Sequence, residues 1–159
     1  MTQSPIAAAS HLLETKWSGR LPIDPVAIAE SLGAVVKPDR TLAPASGSFC
    51  YEDGVPVIRY NPADPVVRQR FTIAHEIGHM VLGHVRAGQL AHRDTSFDSS
   101  TPIEVAANAF AAQLLMPADV VPMVMRLLPP GQRSAAVLAR KLWVSEQAMG
   151  IRLNALGIN

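Results

Sequence analysis

The chain has 159 residues, of which 48% are hydrophobic and 17% charged, so it can bury a hydrophobic core and extensive intrinsic disorder is excluded. Its net charge of +1 is too small for strong nonspecific attraction to nucleic acid or membrane, and its single cysteine excludes an internal disulfide. We expect one domain over residues 1–159, in the cytoplasm, since the sequence shows neither a secretory signal nor an uninterrupted membrane-spanning run.

The first sixty residues predict two helices followed by a small sheet. Helices are predicted at Pro5–Lys16 and Val26–Leu32, and short strands at residues 34–37, 47–51 and 55–60. Between the last two strands, the pair Asp53-Gly54 is a hairpin signal. Pro56 has no N–H to donate to a neighbouring strand, so the strand at 55–60 is predicted to lie at the edge of the sheet.

The rest of the chain predicts further helices and one long polar loop. Helices are predicted at Val66–Leu82 and Ile103–Met116, a loop at Val85–Thr101, and two or three short helices within residues 118–156. This order predicts an α+β fold that is mainly helical, with a small antiparallel sheet of about three strands. We expect the domain core at about residues 5–128 and a C-terminal segment similar to a helix-turn-helix at about 131–158.

One pentapeptide carries chemistry: His75-Glu76-Ile77-Gly78-His79, an H-E-x-x-H pattern within the third predicted helix. Histidines at i and i+4 lie about 40° apart around a helix, so both imidazoles can reach one metal ion. Glu76 lies beside them, where it can take a proton from the water that attacks a substrate. The competing interpretation is a helix surface that carries these residues by chance. Apolar neighbours argue against it, because buried histidine and glutamate side chains need partners and a metal ion is the simplest one.

A catalytic zinc site takes three protein ligands and keeps one position open. For the third ligand Glu104 is the best candidate, because it begins the next strongly helical segment after a gap that allows an antiparallel return. Asn108 lies one turn later on the same face, where its oxygen can accept the free N–H of a ligating histidine. The small residues Ala107 and Gly78 predict that the two helices approach closely. A first-turn glutamate also complements the helix dipole, which is the simpler explanation of Glu104 taken alone.

Four other side chains compete for the role of third ligand. His92, Asp94 and Asp98 lie in the polar loop, which we expect to be mobile and to shape access to the cleft. His84 lies nine residues beyond His75, which is about 180° around a continuous helix. It is therefore predicted to point away from the metal, as a surface or helix-end residue.

The segment Arg70–His79 resembles the active-site helix of the ImmA/IrrE family of zinc metallopeptidases, and the segment Glu104–Pro117 resembles that family's second signature. The resemblance extends over about residues 5–157 and implies a gluzincin-like, zincin-type core that holds one Zn²⁺ per chain. The residues it implies are His75, His79 and Glu104 as zinc ligands and Glu76 as catalytic base. One departure is Ala106, where many relatives carry a second glutamate, and this leaves the implied ligands intact.

Members of that family cleave helix-turn-helix repressors. The resemblance therefore implies a hydrolase, a zinc endopeptidase whose substrate is a helix-turn-helix repressor or an antitoxin-like partner and whose action derepresses genes. Zinc would polarise the scissile carbonyl, and Glu76 would carry a proton from water to the leaving amine. We expect a protein substrate and neither direct DNA binding nor a membrane partner.

The C-terminal segment Ala135–Ile158 leaves a second function open. Residues 126–159 carry five Lys and Arg against one Glu, which is a mild indication of DNA contact. A DNA-reading helix presents polar and basic side chains, and the candidates here are Gln147, Arg152 and Asn154. The favoured interpretation is a helical pair that completes the core. The competing one is a DNA-associated regulator in which the metal site is structural.

The predicted edge strand suggests where an extended substrate binds. Asn61-Pro62 leads from this strand, within a few residues, into the helix that bears His75. An unpaired strand edge near a metal ion is a template for β-augmentation, in which backbone hydrogen bonds hold a peptide extended. The residues predicted to bind substrate in this way are Val57, Ile58, Arg59 and Tyr60.

Overall fold

The computed structural model describes residues 3–85, 92–94 and 101–158, and its element order is helices, sheet, helices. The helices are α1 (Pro5–Lys16), α2 (Pro25–Ser31), α3 (Val66–Val81), α4 (Pro102–Leu115), α5 (Val120–Leu127), α6 (Ala135–Leu142) and α7 (Glu146–Ala155). The strands are β1 (Val35–Pro38), β2 (Gly47–Glu52), β3 (Val55–Tyr60) and β4 (His92–Asp94). This is the predicted, mainly helical α+β class.

The first two helices begin where side chains satisfy their free N–H groups. Ser4 Oγ accepts a hydrogen bond from the backbone N–H of Ala7, at 3.3 Å. Asp24 Oδ1 accepts hydrogen bonds from the N–H groups of Val26 and Ala27, at 3.0 and 3.2 Å. In both helices proline occupies the first turn, where its missing N–H costs nothing. The predicted helix starts are thus explained by capping.

The four strands form one mixed sheet in the order β1-β3-β2-β4. β2 and β3 pair antiparallel around a tight turn in which Asp53 and Gly54 both have positive φ, as the hairpin signal predicted. β1 pairs parallel with β3, with Val35 opposite Val57. β4 pairs antiparallel with β2, with His92 opposite Phe49. Within the described residues, the sheet therefore has four strands and mixed pairing, where about three antiparallel strands were predicted.

The prediction that residues 55–60 form an edge strand is wrong, because β3 lies between β1 and β2. Pro56 faces Tyr51 of β2, and the pairing with β1 begins one residue later, at Val57. Pro56 thus lies just before the parallel ladder, so its missing N–H does not interrupt the pairing with β1. A proline near a strand end is compatible with a central strand when one ladder starts after it.

Helix α3 is positioned by contacts with β2 and β3 on one side and with α4 on the other. Phe49 and Ile58 of the sheet, Ile77 of α3 and Phe110 of α4 are all fully buried in one continuous core. A helix that contacts neighbours on two sides buries polar as well as apolar positions. This explains why α3 is buried at nine positions, from Arg70 to His79, despite a mixed sequence.

The C-terminal helices α6 and α7 pack into the same core. Leu138, Leu142 and Met149 are fully buried. Arg152, one of the three side chains considered for reading DNA, points inward: its Nε donates to the backbone oxygen of Met116 at 2.8 Å. Burial lowers the pKa of this guanidinium. These contacts support the interpretation of the segment as a helical pair that completes the core.

Arg70 links α3 to the C-terminal helices and to the segment before α2. Its Nη2 donates to the backbone oxygen of Ile23 at 2.6 Å, and its Nε donates to that of Trp143 at 2.9 Å. The guanidinium carbon also lies 4.9 Å from the centre of the Trp143 ring, a cation–π distance. Burial lowers the pKa of Arg70, and the negative charge of Asp24 opposes that effect. One buried arginine thus joins three separate parts of the chain.

One stretch, Pro102–Leu127, is long and apolar enough to cross a membrane by length and composition alone. In the fold it is divided between α4 and α5, and 56% of its apolar window is buried. The core helix of a globular domain has the same apolar composition, because it faces other side chains on several sides. Packing against α1 and α3 accounts for the apolarity of α4.

Candidate metal centre

Helices α3 and α4 approach closely because both carry small residues at their contact. A Cβ atom built on Gly78 would lie 3.3 Å from Ala107 Cα and 3.1 Å from a ring carbon of Phe110. Glycine inside a helix costs about 1 kcal/mol relative to alanine. The close packing explains why that cost is tolerated, and it confirms the predicted approach of the two helices.

Three side chains meet at this contact: His75 and His79 from α3 and Glu104 from α4. The two Nε2 atoms are 3.0 Å apart. Glu104 Oε2 lies 3.0 Å from Nε2 of His75, and Oε1 lies 3.1 Å from Nε2 of His79. Two ligands bound at about 2.0–2.1 Å to a tetrahedral ion are about 3.3 Å apart. The three side chains therefore place their donor atoms at about the spacing that one small metal ion requires.

The burial of this cluster also fits a cation. His75 and His79 are 0% exposed and Glu104 is 9% exposed. In this site, which excludes water, two imidazole nitrogens face each other beside a carboxylate. Such an arrangement needs a positive charge between these groups. A metal ion supplies that charge and leaves each imidazole neutral. Geometry and burial together support the predicted ligand set.

The start of α4 places Glu104. Thr101 is the N-cap, and its hydroxyl accepts the N–H of Glu104 at 3.3 Å. Thr and Glu at this spacing form the sequence of a capping box, in which the glutamate would bond back to the cap. Here both carboxylate oxygens of Glu104 face the histidines. Glu104 is a first-turn residue at the positive end of the helix dipole, and the same position brings it to the cluster.

Asn108 has the predicted position next to a ligand histidine. Its Oδ1 lies 2.8 Å from Nδ1 of His75. Because Nε2 of His75 faces the cluster, Nδ1 carries the hydrogen and donates it to the asparagine oxygen. This bond fixes the tautomer and the ring orientation of His75.

The prediction that His84 points away from the metal site is wrong. Its Nδ1 lies 2.8 Å from Nδ1 of His79. The estimate of 180° assumed a continuous helix, but α3 ends at Val81 and the chain reverses at Gly83, which has φ +73°. His84 contacts the nitrogen of His79 that is remote from the cluster, and it is not a member of the cluster itself.

Gly47, at the start of β2, is a site residue that sequence analysis missed. A Cβ atom at this position would overlap the Cγ2 methyl of Thr72 and lie 3.0 Å from Oε1 of Glu76. Glu76 is 0% exposed, so it fits only because the strand beside it has no side chain there. The signal in the sequence was a glycine that opens a predicted strand.

The polar loop predicted at Val85–Thr101 contains a strand, β4, which is a correction. His92 and Asp94, two of the competing ligands, lie on β4, of which the structure describes the backbone. Asp98 and the greater part of the loop lie outside the described residues, and so does its predicted mobility. Among the side chains that the structure does describe, the ligand cluster consists of the three residues named above.

The residues predicted to bind substrate on β3 do not offer a free edge. Val57 and Ile58 are buried, and the backbones of residues 57–60 pair with β1 as well as β2. Arg59 pairs with Glu52 at 2.6 Å, and this hydrogen bond raises the pKa of the guanidinium. β-Augmentation on this strand is therefore ruled out, because both of its edges are already used.

Comparison with known proteins adds to this geometry. The family model described as the IrrE N-terminal-like domain, a peptidase family, matches residues 29–154. The chain is 40% identical over 80 residues to the radiation response metalloprotease IrrE of Deinococcus deserti, and 36% identical over 98 residues to that of Deinococcus radiodurans. These alignments cover 49% and 56% of the chain but 28% of each relative. The chain thus matches little more than a quarter of the length of these curated relatives.

Proposed function

We propose that this chain, which belongs to the IrrE N-terminal-like family of peptidases, is a zinc-dependent endopeptidase. The observation that carries the proposal is the cluster of His75, His79 and Glu104, whose donor atoms lie 3.0–3.1 Å apart in a buried site beside Glu76. Two histidines and one glutamate are a ligand set of catalytic zinc, which leaves the fourth position for chemistry. The relatives named as metalloproteases support the same assignment.

Zinc, when bound, polarises the scissile carbonyl and makes a water molecule acidic enough to lose a proton near neutral pH. His75, His79 and Glu104 would hold the ion, and the hydrogen bond from His75 to Asn108 keeps His75 oriented. Glu76 accepts the proton of the attacking water and delivers it to the leaving amine. The space left by Gly47 lets the carboxylate of Glu76 occupy its buried position beside the start of β2.

For the substrate, we propose a helix-turn-helix repressor or an antitoxin-like protein, cleaved in the cytoplasm so that genes are derepressed. The resemblance of the two signature segments to the ImmA/IrrE family supports this proposal. The name of the Deinococcus relatives, radiation response metalloprotease, fits a regulatory protease. Incubation with candidate helix-turn-helix repressors from the same genome, followed by mass spectrometry of the products, identifies the cleaved bond.

The experiment that tests the enzyme compares the wild-type protein with Glu76→Gln. The variant should retain one zinc per chain by elemental analysis and lose about 10²–10⁴-fold in cleavage rate, because glutamine cannot accept the proton. His11→Ala, a substitution on the exposed face of α1, is the matched control and should leave both measurements unchanged. Cleavage that survives in Glu76→Gln, or a wild-type protein that binds no zinc, would contradict the proposal.

A further inference from the structure

The two ligand imidazoles are supported in different ways, and the support of His79 has no assigned role. His75 donates to an asparagine on the neighbouring helix. His79 faces another imidazole, that of His84, with 2.8 Å between the two Nδ1 atoms and 5.0 Å between the ring centres. The rings are inclined by 65°, so the contact is a hydrogen bond in which an edge of one ring meets an edge of the other.

We propose that His84 is a positioning residue that orients His79 for metal binding by accepting its Nδ1–H. This inference rests on the proposed metal site. Nε2 of His79 faces Glu104 and His75. If this nitrogen coordinates the metal ion, the ring hydrogen must be on Nδ1. Nδ1 of His84 accepts this hydrogen through its lone pair. The His84 ring therefore carries its own hydrogen on Nε2.

The end of α3 delivers His84 to this position. The N–H of His84 donates to the backbone oxygen of His79 at 3.0 Å, and the N–H of Gly83 donates to that of Met80 at 3.3 Å. This pair of bonds, with Gly83 in the left-handed conformation, is a Schellman motif. In that motif the residues at the positions of His79 and His84 commonly make an apolar contact. Here the same two positions hold a hydrogen-bonded pair of imidazoles.

The motif makes the support of His79 local. Its acceptor is five residues away on the same turn, whereas the acceptor of His75 arrives from α4. A partner that orients a ligand histidine raises its basicity and fixes its ring, and its loss costs about 10–100-fold in metal affinity. His84 should therefore matter for zinc affinity although it lies outside the ligand cluster.

Zinc affinity, measured by competition with a chromophoric chelator, tests the role of His84 in the full-length protein. His84→Ala should weaken zinc binding about 10–100-fold. His84→Asn should restore affinity to within a few-fold of wild type, because the asparagine oxygen lies at the position of Nδ1. His84→Gln places its polar atoms at the position of Nε2 and should behave like His84→Ala. The melting temperatures of the metal-free proteins should agree, which separates positioning from folding.

The outcomes distinguish a failure of the role of His84 from a failure of the proposed metal site. Wild-type affinity in His84→Ala would overturn the role of His84 while leaving the proposed metal site in place. Equal affinities of His84→Asn and His84→Gln would overturn it too, because a space-filling role does not distinguish where the acceptor lies. A wild-type protein that binds no zinc would overturn the proposed function and this inference together.

Discussion

The contact between α3 and α4 and the pair α6–α7 are both buried, but they are held by different interactions. Between α3 and α4, small residues bring polar side chains together, and His75, Glu76 and His79 are fully buried. In α6 and α7, Leu138, Leu142 and Met149 fill the core. Burial in the first region brings together the candidate metal ligands, whereas burial in the second contributes to stability. Substitutions should therefore separate the two properties.

The largest effect on stability is expected from removing a core side chain of α6. Leu142→Ala leaves a cavity in a fully buried site and should lower the free energy of unfolding by about 2–5 kcal/mol. Below the melting transition, the zinc affinity of the folded protein should be within a few-fold of wild type. Chemical denaturation and chelator competition measure the two quantities. A large loss of zinc affinity in the folded variant would show that the two regions are not separable.

The converse variant is Glu104→Gln in the metal centre. It removes one ligand charge at nearly constant shape, so zinc affinity should fall by more than about 100-fold, or about 2.7 kcal/mol. The metal-free protein should change in stability by less than about 1 kcal/mol, because a buried carboxylate is replaced by a neutral group. Elemental analysis after gel filtration and a urea titration with chelator present provide the measurements. A metal content equal to wild type would remove Glu104 from the ligand set.

Gly47→Ala tests whether the space beside the Glu76 carboxylate matters for cleavage. The added methyl group overlaps Thr72 and presses on Glu76, so the carboxylate must move. We expect about 10–100-fold slower cleavage with zinc stoichiometry unchanged, since a small misplacement of a catalytic group is costly. Gly150→Ala is the matched control, because nothing lies within 4 Å of its added Cβ. Equal rates for both alanine variants would mean that the space at Gly47 has no catalytic importance.

The smallest effect is expected at Arg152, whose guanidinium donates to Met116 and Gln113. Arg152→Met keeps the apolar stem and removes the hydrogen bonds, which should lower stability by about 1–2 kcal/mol. Zinc binding and cleavage should stay as in the wild type. Thermal denaturation of the zinc-loaded and metal-free proteins tests this. An increase in stability would mean that burying the charge outweighs its hydrogen bonds.

The cluster of His75, His79 and Glu104 could be predicted from sequence to a large extent because its main signal is local. His75 and His79 are placed on one face by helix geometry alone, and Glu104 is the acidic residue that opens the next long helix. Asn108 could be predicted beside His75 because it lies one turn after Glu104 on the same face of α4. His84 escaped the prediction because its position depends on where α3 ends, and helix ends are set by details such as Gly83.

The sheet could be predicted less well because its order depends on pairing between distant segments. The hairpin of β2 and β3 is local and was found through Asp53-Gly54. The parallel pairing of β1 with β3 joins strands that are separated by β2 along the chain, and no local pattern marks it. Pro56 suggested an edge, but its missing donor lies one residue outside that ladder. Gly47 was missed for a similar reason, since only the packed structure shows what lies beside it.

The buried position of Arg70 limits how far this protein can be shortened. A chain that stops before Ala135 would lack the backbone oxygens of Leu142 and Trp143, which accept hydrogen bonds from Arg70. The cation would then remain in the interior, one and a half turns before His75, with part of its solvation removed. The smallest unit that folds stably should therefore include α6 and the Trp143 turn, and a shortened chain should end beyond them.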